Sequence, residues 1–450
     1  MPSSNPPTAA GPPKPDPPAA QSDAPKLSGA ELKKQKQAEK AARRAQAIQG
    51  KQAAAPAIAA PAQSTEAPKG PKVQQQKRRG STLAARDIPT RSQKAVAAPA
   101  PVEPKKEDKT VEFFRHLYKP RMTSIAGASK DVHPAVLALG LQMSNYTICG
   151  SCARLVATLQ AFKRVIESYT TPPGNSLTRH LTSHVLSPQI EYLASCRPLS
   201  ISMGNAIRWL KLEISKVDIN TPDTTAKADL CEAIDVFIRE RVTFADQVIA
   251  SSAAERIKDG DVILTYAKSS IVQKSLVKAH EDGKKFRVIV VDSRPLHEGK
   301  HLAAALADLG IEVKYCLING LSHNIQDATK VLLGAHAMMS NGRLFSRIGT
   351  ALVAMEANEA DKPVLVLCET IKFTERVALD SIVHNEIAPA DELIIPGGAL
   401  ENWADMKKLQ LCNPMYDVTP AEYIQMIVTE SGNVPPTSVP VLHRLGNESQ

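Results

Sequence analysis

Three short groups of residues have types and spacings that could do chemistry. Ser340-Asn341-Gly342 ends an apolar run over residues 331–339, and Ser346 and Gly349-Thr350 stand at the head of a helix-like stretch over residues 346–359. Asn-Gly tolerates a positive φ and lets a backbone approach closely. Ser346 is placed to cap the helix, whose first amides would suit an anion, and Gly349 would allow tight helix–sheet contact. The same residues also read as a plain turn before a close-packed helix. The second group, Asp292-Ser293-Arg294-Pro295, follows a run over residues 286–291 that is apolar apart from Arg287. Arg294 there is either a pocket cation or a surface charge. The third group is Cys149-Gly150-Ser151-Cys152. No second Cys or His pair stands near it to complete a zinc site, so structural thiols are expected and no metal.

The elements that must position these groups follow from periodicity. Short runs rich in apolar residues over 262–265, 286–291, 331–333 and 364–367, and the alternating stretch 311–317, read as strands, and residues 269–280, 297–309 and 346–359 between them read as helices. Repeated β-α-β order implies a parallel sheet covered on both faces, with right-handed crossovers and ligands where strands end and helices begin. Neither the Gly-x-Gly-x-x-Gly fingerprint nor a P-loop is present, so no nucleotide cofactor is expected. Before the sheet, residues 133–143, 147–169, 176–194, 202–216 and 224–257 have helical spacing. Leu155, Leu159, Phe162 and Ile166 fall on one face, as do Leu230, Ile234, Phe237, Ile238, Val242 and Val248. After the sheet, residues 417–428 are expected to form a short helix.

Charge is divided unevenly. Residues 1–107 hold 19 Lys and Arg against 8 Asp and Glu, so this segment carries +11 while the whole chain carries +9, leaving the remainder slightly acidic. The segment is rich in Pro, Ala, Gln and Lys and has no Phe, Tyr or Trp, too little apolar surface to offset the entropy of ordering. One polar helix is expected over residues 28–49, opened by a Ser28–Glu31 capping box. The basic segment reads as weak contact with RNA or the ribosome, or as a solvated tail. The Pro-rich start does not read as a secretory signal, no run reaches membrane-spanning length, and seven cysteines mostly in apolar stretches suit a reducing cytosol. The expected architecture is α/β: a disordered basic tail over residues 1–107, an N-terminal helical domain over 108–257 and a Rossmann-like parallel-sheet domain over 258–450.

The spacing Gly334-Ala335, Asn341-Gly342, Ile348-Gly349-Thr350 resembles the signature of one superfamily. It contains methylthioribose-1-phosphate and ribose-1,5-bisphosphate isomerases and the alpha, beta and delta regulatory subunits of eukaryotic translation initiation factor 2B. In the isomerases, the resemblance implies, a Cys after the first strand and an Asp in a Gly-Ala-Asp element move the proton between aldose and ketose. Those positions here are Ala267 and His336, so no catalytic residue is expected. Arg294, Asn341, Gly342, Gly349 and Thr350 would then be a remnant ligand pocket. The pieces Arg287 to Pro295, Lys330 to His336, Cys368 to Phe373 and Tyr416 to Pro420, together with the basic extension, are similar to the delta branch. That branch implies a non-catalytic subunit of a guanine nucleotide exchange complex, with beta, alpha, gamma and epsilon partners. It would help bind initiation factor 2 and sense phosphorylation of its alpha subunit. Arg179, Arg197, Arg208 and Lys211, on or beside helices, are the side chains expected to meet that substrate, or else are solvated helix charges. Arg197 also reads as a structural or interface residue. The alternative is a working sugar-phosphate isomerase.

Overall fold

The computed structural model describes residues 109–448; the tail and its expected helix over residues 28–49 lie outside them. Among the described residues seven α-helices precede the first strand: α1 (Pro134–Ser144), α2 (Ser151–Ser168), α3 (Leu177–His180), α4 (Ser187–Cys196), α5 (Ile201–Lys216), α6 (Asp223–Ile238) and α7 (Ala245–Glu255). His133 opens α1 by accepting from Ala135 N at 3.1 Å, and Ser200 opens α5 by accepting from Met203 N at 3.2 Å. Leu155, Leu159, Phe162 and Ile166 are fully buried along α2, as their spacing requires. A wide helical turn, Arg239–Phe244, joins α6 to α7. Such a turn rotates the face that follows it, and beyond it Ile249 is buried while the expected Val248 is half-buried.

Helix α7 packs on the sheet: Ile249, Ala253, Ala254 and Ile257 share a core with Ile263, Val288 and Val290. The sheet runs β10-β9-β7-β4-β1-β2-β3. Its strands are β1 (Val262–Tyr266), β2 (Arg287–Asp292), β3 (Glu312–Leu317), β4 (Lys330–Gly334), β7 (Val364–Leu367), β9 (Met426–Thr429) and β10 (Gly432–Val434). All pairings are parallel except β9 with β10. Alternate residues face opposite cores. Leu264, Ile289, Val291, Val331 and Val366 point to one side, and Ile263, Val288, Val290, Leu332 and Leu367 to the other. The connecting helices are α8 (Ser270–Glu281), α9 (Glu298–Asp308), α10 (Leu321–Asn324) and α11 (Thr350–Glu359), and α12 (Val439–Glu448) follows the last strand. The chain moves from β1 outward to β3, then returns to β4 on the other side of β1. The carboxyl ends of β1 and β4 therefore flank a topological switch point, where a crevice opens.

Two expectations are corrected. Residues 337–347 are a hairpin, β5 (Ala337–Met338) and β6 (Leu344–Arg347), completed by β8 (Tyr416–Thr419) into a small antiparallel sheet. Ser346 therefore sits in a strand and does not cap a helix; its Oγ donates to the Gly334 carbonyl at 2.8 Å. The helix begins at Thr350, because Gly349 turns the chain at φ +102°. Residues 417–428, expected as a helix, form the end of β8, a single 3-10 turn and the start of β9. The β-branched residues Val418, Thr419, Ile427 and Val428 are satisfied there by pairing with neighbouring strands.

Candidate functional site

A cleft of about 360 Å³ opens at the switch point, lined by the ends of β1 and β4, the first turn of α2, and Arg347, Thr350, Lys372 and Tyr416. At the end of β1, Tyr266 Oη lies between Ser293 Oγ, 2.7 Å away, and the Ile348 carbonyl. Ala267 follows at φ +53°, a left-handed conformation that costs an alanine on the order of 1 kcal/mol. It is tied down by donating its N–H to Val291 O at 2.8 Å. Gly334 leaves β4 so close to Ser269 that a Cβ would sit 2.1 Å from its Oγ.

His336 comes next. Its ring packs 4.4 Å from Tyr416 and 5.7 Å from Phe345. Burial, reinforced by the positive charges of Arg154, Arg197, Lys372 and Arg347, holds its pKa well below the ordinary imidazole value. It is a neutral ring at neutral pH. Arg347 is pinned to Glu298 at 2.9 Å. Thr350 is buried with its hydroxyl donated to Arg347 O at 2.6 Å. The amides that open α11 are already taken, because Asp417 Oδ2 accepts from Gly349 N at 2.7 Å and from Ala351 N at 3.0 Å. Burial pushes the Asp417 carboxyl up to about 7. The helix N-terminus expected to suit an anion is thus capped by a carboxylate.

Of the five expected pocket residues, Thr350 lines the cleft and Gly349 abuts Tyr266, whose Oη would lie 2.2 Å from an added Cβ. Arg294 is exposed beside an adjoining hollow that shares Tyr266, Ala267 and Arg347 with the cleft. Asn341 and Gly342 are elsewhere: Asn341 Nδ2 donates to Ala378 O at 2.7 Å, and Gly342 turns at φ +75° against Pro436. Of the four side chains expected to meet a protein substrate, Arg179 and Arg208 are exposed and Lys211 is half-buried. Arg197 is fully buried, donating to Glu386 Oε1 at 2.8 Å and to Tyr416 Oη at 3.2 Å. It is a structural residue and offers nothing to a surface partner.

Sequence reading missed Arg347, Glu298, Lys372 and the fully buried Arg154. Arg154 carried a signal, since it lies on the face of α2 that holds Leu155 and Leu159. Both cysteines of the C-x-x-C line the cleft. The Cys152 thiol, pushed far up by burial, donates to Glu369 Oε1 at 3.2 Å, and Cys149 Sγ lies 3.8 Å from Arg197 Nη1. Among the described residues no group of three His, Cys, Asp or Glu could hold a metal ion. Cations surround the cleft, yet its two strand ends present a methyl group and a neutral ring, and neither the pair nor Cys152 supplies an acid and a base in concert.

The model of a family described as the Initiation factor 2 subunit family matches residues 147–436. The chain is 50% identical over 344 residues to Translation initiation factor eIF2B subunit delta of Schizosaccharomyces pombe, covering 75% of this chain and 73% of that protein. It is 34% identical over 302 residues to a ribose 1,5-bisphosphate isomerase of Pyrococcus furiosus, covering 67% and 90%. A chain in the crystal structure of the tetrameric eIF2B-beta2-delta2 complex from C. thermophilum superposes with a TM-score of 0.65 at 45% identity, covering 72% of this chain and 98% of that one.

Proposed function

The chain belongs to the initiation factor 2 subunit family, and from that premise we propose that it is a non-catalytic regulatory and scaffold subunit of the initiation factor 2B guanine nucleotide exchange complex. The observation that carries the reading is the replacement of both proton-transfer positions, by Ala267 on a left-handed backbone and by His336 held neutral. A scaffold keeps the cleft's shape and has no use for its acid and base.

In this reading residues 108–257 are the helical domain that helps meet initiation factor 2. Residues 258–450 are the Rossmann-like domain that pairs with a beta-type subunit, within a larger assembly that includes alpha, gamma and epsilon subunits. Helix α11 supports the pairing. It presents Leu352 and Met355, spaced i, i+3 and 51% and 45% exposed, as an apolar face that a partner would cover, with Ile348, 38% exposed, in the turn before it. Arg179, Arg208 and Lys211 are the surface cations proposed to sense the phosphorylated alpha subunit of initiation factor 2, and the setting is the cytosol under stress. The basic tail contributes at most weak RNA or ribosome contact.

The test is nucleotide exchange on initiation factor 2 by complexes reconstituted with this chain. Phosphorylated substrate is expected to inhibit the complete complex. Joint charge reversal at Arg179, Arg208 and Lys211 is expected to weaken that inhibition several-fold without loss of assembly. Undiminished inhibition would remove those residues from the reading. Measurable ribose-bisphosphate isomerisation by the purified chain would overturn the non-catalytic assignment itself.

A further inference from the structure

Behind the cleft wall, a cluster of buried ionisable groups joins the helical part to the sheet. Asp246 lies in the first turn of α7, Cys152 in the first turn of α2, and Glu369 and Lys372 in the turn after β7. Asp246, Glu369 and Lys372 are 4%, 0% and 4% exposed. Lys372 Nζ sits 2.7 Å from Glu369 Oε2, and Lys274 Nζ of α8 donates to Asp246 Oδ2 at 2.5 Å. The Asp246 and Glu369 carboxyl groups are in hydrogen-bond contact with each other, and Asp246 Oδ1 has no other donor. Two touching carboxylates repel in a poorly solvated site. One proton on Asp246 turns that repulsion into a charge-assisted O–H···O bond and gives Oδ1 its partner.

We propose that this shared proton is a latch that holds α7 and α2 to the turn after β7, and that the junction beside the cleft loosens when the proton leaves. Burial, then the charge of Glu369, push Asp246 up to about 6. Burial would raise Glu369 too, but Lys372 outweighs it and holds that carboxyl below its ordinary value, so the proton resides on Asp246. The remaining neighbours do not compete for it. The Cys152 and Cys368 thiols are pushed far up by burial and stay protonated. Glu430, raised by burial, is engaged by Thr370 N at 3.0 Å. Lys274 and Lys372 are the two cations, and Lys274 favours the charged form of Asp246. An acid raised in the folded state contributes stability that is complete below its unfolded value near 3.8 and is lost as pH rises through about 6.

The experiment is amide hydrogen exchange of the full chain between pH 5 and 8, corrected for base catalysis and read in Ala245–Glu255 and Thr370–Lys372. A local reading is needed because Asp417 titrates near neutrality at α11 and alters global stability in the same range. The wild-type opening constant is expected to rise roughly tenfold with a midpoint near pH 6. Asp246→Asn, whose amide donates to Glu369 at every pH, is expected to give a flat profile. Lys274→Met removes a half-exposed ammonium and is expected to keep the inflection and move it to higher pH. A wild-type profile without an inflection overturns the latch, as does an Asp246→Asn profile that keeps one. A downward shift in Lys274→Met overturns it as well, so the proposal stays testable if Asp246→Asn does not fold.

Discussion

Arg197 and Glu386 meet at 2.8 Å, 0% and 5% exposed. Tyr416 shares the guanidinium from one side, and the Tyr146 ring lies 4.5 Å away on another. Removing Arg197 leaves the buried Glu386 carboxylate to Arg121 alone, 3.2 Å away, so the cost falls toward the lower end of the range of about 3–5 kcal/mol for a broken buried pair. Arg197→Met is therefore expected to lower the urea unfolding free energy by that amount. Reversal of the exposed Arg179 or Arg208 is expected to change it by less than about 0.5 kcal/mol. A regulatory defect in an Arg197 variant would thus report on folding, not on recognition. The sequence shows why this was only half legible. Ala267 and His336 could be placed because the resemblance to the isomerases marks both positions, each just after a strand-like run. An arginine just past a helix gives no sign of a carboxylate 189 residues away, and its alternative role as a surface charge was open until that partner was known.

At the scale of elements, the join between β6 and α11 sets the shape of the cleft. Gly349 has φ +102° and no room for a Cβ beside Tyr266, so Gly349→Ala combines backbone strain with a clash. It is expected to destabilise the chain by about 2 kcal/mol or more. Asp417 caps α11 from a strand 66 residues downstream of Ala351, and Asp417→Ala is expected to cost about 1–2 kcal/mol. Thermal unfolding of both variants against wild type at one pH checks the pair. The parallel strands β1, β2, β4 and β7 were readable because each is dominated by a short apolar run, and β3 because it repeats the β-α-β order, whereas β9 lies in the stretch expected as a helix. The β5–β6 hairpin was not. Leu344-Phe345-Ser346-Arg347 runs directly into Gly349-Thr350, and its apolar residues also fit a helical period. The pairing of β6 with β8, about 70 residues away, decides between the two, and no local pattern records it.

At the scale of the molecule, the chain keeps an enzyme-like crevice at its switch point, lacks the proton-transfer pair there, and turns an apolar helix face outward. The missing pair was legible through the family resemblance and the ligand side of the sheet through β-α-β succession, but the strand order that places the crevice came with the structure. The third required knowing which face of α11 the sheet leaves uncovered, since Leu352 and Met355 look like core residues in a sequence. The account's central claim is that this chain is a partner-dependent scaffold. Co-expression with a beta-type subunit, followed by native mass measurement, tests it most directly. The account predicts a stable assembly with two copies of each chain, lost when Leu352→Asp places a charge on the α11 face. A homodimer of this chain that ignores the beta-type subunit and isomerises a sugar phosphate would contradict it.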